Sequence, residues 1–270
     1  MSQESFRRRS QILLIVMLAV SFGIPSYAQH YVRTDLVADS DGSATVTDPN
    51  LINAWGLSRS SSSPWWVADN GTGKSTLYDG SGNIQALVVA VQGAPTGTVF
   101  NGTTAFNLPT GSHASFLFAS EDGTISAWGG GSAATVVATT PGAVYKGLAI
   151  APIEGKYYLF AANFSQGRID VFDENFQPVQ KPAELFRIDG TLSAIDFGTD
   201  GDTGGTFFDS GFRAINPLSG PWFFKLSEAL SGLAPYSMQN IGGMLFVTFA
   251  KPNSSQTDEV GGAGLGLVGA

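Results

Sequence analysis

Carboxylates and amides close several apolar segments of this chain. Asp69 and Asn70 follow Trp65–Ala68, Glu121 and Asp122 follow Phe116–Ser120, and Asn163 follows Tyr158–Ala162. Equivalent placement predicts that these side chains lie at similar radius on one face of a repeating structure. Oxygen ligands gathered there suit Ca²⁺, a hard cation, with Asp69, Glu121 and Asn163 as the ligand set. Two carboxylates on such a face also divide acid and base work. The same residue types build the turns that follow strands, so the spacing supports a ligand site and a row of turns alike.

Other chemistry-bearing residues carry weaker patterns. Asp196, Asp200, Asp202 and Asp209 are spaced to offer oxygens to a cation, but the order and terminal Glu of an EF-hand are missing. Ala68–Ser75 ends in Gly-Lys-Ser like a P-loop, yet Ala68 stands where its first Gly belongs and a strand pattern follows instead of a helix. Gly264–Gly269 has dinucleotide-binding spacing with no room for the helix that motif needs. His30 and His113 are the two histidines, too few for a multi-histidine zinc site, and no Gly-x-Ser-x-Gly elbow accompanies them. Trp55, Trp65, Trp66 and Trp128 suit either a sugar-binding face or packing between repeats.

The elements that must position these residues are strands. Short apolar or alternating runs recur at Trp65–Ala68, Ser75–Tyr78, Ala86–Val91, Ser115–Ala119, Thr124–Trp128, Ala134–Ala138, Tyr157–Ala161, Arg168–Phe172 and Met244–Phe249. They are rich in β-branched and aromatic residues and bounded by Gly, Asn, Asp, Ser and Pro, which predicts strands joined in hairpins. The runs also repeat. Trp55-Gly56-Leu57-Ser58, Lys146-Gly147-Leu148-Ala149 and Tyr236-Ser237-Met238-Gln239 each precede an apolar strand after a turn, and Phe116–Trp128 reads as a further two-strand core between the first two. The implied unit is about 45 residues, the length of a four-stranded propeller blade. The expected fold is therefore an all-β propeller of antiparallel blades. A β-sandwich, also built of short strands, is the competing architecture.

Residues 183–233 interrupt the repeat and read as a degenerate blade or an inserted loop. After Ala250 the pattern runs out in a Gly-rich tail. These breaks lead to the expectation of an incomplete ring, with about four to five blades present and the last ones missing.

Arg7–Arg9, the apolar run from Ile12 to Ile24, Pro25 and Ser26-Tyr27-Ala28 have the layout of a secretory signal peptide. The organisation expected is a leader at 1–28 and a propeller domain at 29–270, exported to the periplasm or beyond the cell. The full chain has 22 acidic and 14 basic side chains. A surface that acidic disfavours nucleic acid, and no second apolar run spans a membrane once the leader is gone. Cysteine is absent, so neither disulfides nor thiolate metal sites support the fold.

Several stretches resemble an uncharacterised family of secreted bacterial β-propellers, some of which end in a PEP-CTERM sorting tail. They include Thr47–Leu57, Trp66–Gly73, Ser120–Ile125, Ala143–Ala149, Gly167–Asp173 and Ala234–Gly243. That family is similar to NHL and gluconolactonase-like propellers of about six blades, and it has no settled activity. The leading expectation for this chain is an exported scaffold that uses one propeller face to bind a protein, small molecule or carbohydrate. The alternatives are a Ca²⁺-assisted hydrolase of lactonase type, in which the cation polarises a carbonyl, and a cell-surface or matrix structural protein. If the leader is read correctly, intact-mass analysis of the exported protein finds a chain beginning at Gln29.

Overall fold

The computed structural model describes residues 34–179, 223–225, 232–242, 244–262 and 265–269. Val37–Ala38 (β1) and Val46–Thr47 (β2) form a small parallel pair ahead of the repeats. Four antiparallel sheets follow in chain order. The first contains Ala54–Ser58 (β3), Trp65–Asp69 (β4), Lys74–Tyr78 (β5) and Val89–Ala90 (β6). The second contains Pro95–Phe100 (β7), Phe116–Ser120 (β8), Thr124–Trp128 (β9) and Thr135–Thr139 (β10). Tyr145–Ile153 (β11), Lys156–Asn163 (β12), Arg168–Phe172 (β13) and Phe223–Lys225 (β14) make the third. Ala234–Ile241 (β15), Met244–Ala250 (β16) and Gly266–Gly269 (β17) make the fourth. Among the described residues no helix is long and apolar enough to cross a membrane.

Each sheet is a meander, with strands neighbouring in the order of the chain. That is blade architecture, and the cores confirm it, because each lies between successive sheets. Trp66 and Leu77 of the first sheet meet Phe116 and Phe118 of the second, with the Trp66 and Phe116 rings stacked at 4.1 Å. Leu117, Ile125, Leu159 and Phe172 fill the next interface, and Phe160, Ile169, Val247 and Phe249 the one after. A sandwich would have placed one core between two facing sheets. The protein is thus an all-β propeller-type fold of four-stranded antiparallel blades.

Gly56 lies 91 residues before Gly147, and Gly147 lies 90 before Ser237, but the two spans resolve unevenly. One whole blade lies between Gly56 and Gly147. Between Gly147 and Ser237 the third sheet borrows its fourth strand, β14, from the long stretch after β13. Of the 183–233 interruption, residues 183–222 and 226–231 lie outside the described residues. The predicted strand over Ala86–Val91 shrinks to Val89–Ala90, because Gln85 N–H bonds the Leu77 carbonyl and Ile84 bridges Tyr78 before the chain settles alongside β5.

The inner strands β3, β7, β11 and β15 line a channel with a cavity of about 940 Å³. They approach closely at one level, where Gly56, Gly97, Gly147 and Ser237 fall in turn. A Cβ on Gly97 would lie 2.6 Å from the Leu148 nitrogen, and one on Gly147 would lie 2.7 Å from the Ser237 Cα. Backbone cannot yield as a side-chain tip can, so even one methyl group at these positions forces adjacent blades apart. Gly97→Ala should therefore cost about 3 kcal/mol. Gly80→Ala, where the added Cβ meets nothing within 4 Å, should be close to neutral. Urea midpoints of the two variants check this.

Candidate functional site

Every inner strand carries a register shift beside its close-packed position, between Ala54 and Leu57, Pro95 and Thr98, Tyr145 and Gly147, and Pro235 and Met238. Such bulges re-aim side chains. Here they bracket the residue just before each close contact: Trp55, Thr96, Lys146 and Tyr236. Thr96 turns between blades and donates its hydroxyl to the Tyr145 carbonyl at 2.7 Å. The other three gather at one end of the channel.

Lys146 is the centre of that end. Its side chain is 1% exposed, and its ammonium pairs with the Glu121 carboxylate and, at 3.2 Å, with Asp258 Oδ1. The same nitrogen lies 4.6 Å from the Trp55 ring centroid and 5.9 Å from that of Phe164. Tyr236 closes the cage, 5.2 Å from Trp55 and 5.8 Å from Phe164. Asn70 Nδ2 donates to the second Glu121 oxygen at 3.0 Å, and Asn53 Nδ2 donates to Asn70 Oδ1 at 2.9 Å. Burial pushes the Tyr236 phenol well up, and negative Glu259, Asp258 and Glu121 add to the shift. A buried ammonium is costly unless paired, and removing one partner of such a pair typically costs about 3–5 kcal/mol. This cluster joins residues of all four blades or their flanking loops.

The carboxylates and amides singled out by spacing do not converge as one set. Counted from the paired residues Ala68 with Ser75, Ala119 with Ile125 and Ala162 with Ile169, Asp69 corresponds to Ser120 and Asn163. Glu121 falls one place later, beside Asn70 and Phe164. That single step brings Asn70 and Glu121 to Lys146 and leaves Asp69 and Asn163 apart from it. Asp122 is exposed and shapes its own turn, accepting from Thr124 N–H at 3.1 Å and the Thr124 hydroxyl at 2.6 Å. Asn163 donates to Asp170 Oδ2 at 2.8 Å and accepts from the Ser165 hydroxyl at 3.1 Å. Asp69, Glu121 and Asn163 therefore sit in three separate settings. Among the described residues no three His, Cys, Asp or Glu side chains are placed to hold a metal.

The remaining motifs resolve plainly. Asn70–Thr72 makes one 3₁₀ turn before β5, and the Lys74 ammonium donates to Asn50 Oδ1 at 2.7 Å, so no phosphate cradle forms. Gly266–Gly269 is strand β17. His113 is exposed, its ring 3.2 Å from the Asn101 carbonyl. Trp66 and Trp128 pack together at 4.6 Å in the first blade interface, Trp65 lies under the Arg59 guanidinium, and Trp55 alone of the four faces the channel. His30 and Asp196, Asp200, Asp202 and Asp209 lie outside the described residues. Spacing missed Lys146, Phe164, Tyr236 and Asp258. Trp55, Lys146 and Tyr236 head the three aligned repeat segments, but as different residue types they shared a position without sharing a chemistry.

The fold and channel define a propeller-type protein with a lumen lined by polar, apolar and aromatic residues. No protein-family model matches the chain. Two uncharacterized proteins of Acanthamoeba polyphaga mimivirus are similar to it. One is 32% identical, with 52% of this chain and 41% of the relative covered; the other is 27% identical, with 86% and 52% covered. The chain thus spans about half the length of the curated relatives it matches. Similar solved structures include a virginiamycin B lyase from Staphylococcus aureus with quinupristin, at TM-score 0.46 and 11% identity over 83% of this chain and 69% of that one. A PQQ-bound aldose sugar dehydrogenase from Streptomyces coelicolor aligns at TM-score 0.40 and 14% identity, covering 76% and 79%.

One buried group outside the channel titrates near neutrality. Asp69 is fully buried, and neither of its oxygens makes a hydrogen bond of normal geometry. Burial first, and the nearby Asp48 charge, raise its pKa to about 7; the polar influence of Thr76 and the charge of Lys74 offset only part of this. A carboxyl whose folded pKa exceeds its unfolded value binds its proton more tightly when folded, so stability falls as pH rises from about 4 through 7. The full penalty is about 4 kcal/mol. In EDTA buffer, Asp69→Asn should therefore unfold at higher urea than the parent at pH 8, with the gap closing by pH 4.

Proposed function

We propose that the protein is an exported binding scaffold whose ligand enters the propeller channel. The observation that carries this reading is the convergence of Trp55, Lys146 and Tyr236, from three equivalent repeat positions, at one end of a cavity of about 940 Å³. Leu57, Arg59, Phe100, Tyr157 and Gln239 also line the cavity. Leu57 is 59% exposed there, an apolar surface in a lumen that also presents Arg59, Gln239 and Asn240. Pockets of this size and mixture suit a small molecule or a short carbohydrate. The acidic composition argues against nucleic acid as the ligand. Export rests on the leader-like first 28 residues, and membership of a secreted bacterial propeller family rests on the sequence resemblance.

The test is a thermal-shift and calorimetry panel of sugars, short oligosaccharides and small carboxylic acids. A ligand that binds one-to-one and is lost in Leu57→Trp, which fills the lumen from an exposed position, supports the reading. A panel without binders, or binders indifferent to Leu57→Trp, overturns it.

A further inference from the structure

The pairs Trp65 with Tyr78, Val67 with Thr76 and Asp69 with Lys74 place all six side chains on one face of the first sheet. Trp66 and Leu77 point the other way, into the interface with the second sheet. The first face is covered by the segment around Asp48 and Asn50. Tyr78 donates its hydroxyl to Asp48 Oδ2 at 2.9 Å, the Thr72 hydroxyl reaches the Asn50 carbonyl at 2.8 Å, and Lys74 bonds the Asn50 side chain. Asp48 and Asp69 are both buried under this cover, at 2% and 0% exposure.

The corresponding face of the third sheet meets its charge with its own donors. There Asp170 accepts from the Tyr145 hydroxyl and from Asn163 Nδ2, each at 2.8 Å, and pairs with Arg168 Nε at 2.7 Å. In the first sheet the positions of Asn163, Arg168 and Asp170 hold Asp69, Lys74 and Thr76. The amide donor has become a second acid, and the cation has turned to Asn50. Asp48 Oδ1 takes Asn50 N–H at 2.8 Å and Asn50 Nδ2 at 3.0 Å, both neutral donors. The Asp69 oxygens and the Thr76 hydroxyl have no hydrogen bond of normal geometry. Buried charge of this kind is retained only when something answers it.

We propose that Asp69, Asp48 and Thr76 hold one divalent cation of the calcium class. The donors are all hard oxygens, and two carboxylates match two positive charges. Ca²⁺ accepts irregular oxygen shells, whereas Mg²⁺ keeps its waters and demands an octahedron, which a buried cleft resists. The cation replaces the donors that Arg168 and Asn163 supply in the third sheet. It pins the segment around Asp48 and Asn50 to β4 and β5, and because Asp48, Asp69 and Thr76 do not line the channel, it stands independently of the ligand proposal above.

The purified full chain, stripped with EDTA and exchanged into pH 8 buffer, is titrated with CaCl₂ while its thermal midpoint and binding heat are followed. The expected result is a saturable rise of about 5 °C, smaller with MgCl₂. Asp69→Asn abolishes the calcium response while keeping the fold, since Asn163 occupies the same place in the third sheet. Thr76→Val, matching in shape, weakens calcium binding. A parent protein indifferent to calcium overturns the proposal and leaves a proton as the neutralising partner of Asp69. A calcium response that survives in Asp69→Asn overturns it too, by placing the cation elsewhere.

Discussion

The close approach of four inner strands is the constraint on which the molecule depends. Gly56, Gly97 and Gly147 admit the backbone of the next blade where any side chain would collide with it. Blade cores such as Trp66 on Phe116 can close only because that inner contact is already tight. Packing energy then accumulates between neighbours, as in any repeat architecture in which no unit buries its face alone.

Tight inner strands create a second requirement. A regular strand offers its side chains alternately to the two adjacent interfaces, and none to the lumen. The bulge beside each close contact breaks that alternation and frees Trp55, Lys146 and Tyr236 to turn inward, while Thr96 turns between blades. The channel end is thus a product of backbone irregularity at fixed places. Lys146 is tolerated there because Glu121, Asp258 and two aromatic faces replace its water.

Strand runs, hairpins and the blade-length repeat were legible in the sequence because alternation and turn residues are local signals. Trp65–Asp69 and Lys74–Tyr78 lie where their patterns place them. The candidate site was harder to read, for a reason of register. Asp69 and Glu121 both follow an apolar strand, yet the pairing sets them one residue apart, and one residue in a strand reverses the direction of a side chain. The Lys146 cage was hidden differently. Asp258 is 112 residues from its partner in the chain, and only tertiary structure brings the two together. Asp69 was singled out for its oxygens, and what spacing could not reveal was that its companions would be Asp48 and Thr76.

Equivalent positions in the repeats hold Trp55, Thr96, Lys146 and Tyr236, four unlike side chains on a near-symmetric frame. Identical blades would present a guest with walls interchangeable by rotation, and a bound molecule would have several equal orientations. Here the positions differ chemically, so no two rotational settings of a guest in the lumen would be equivalent.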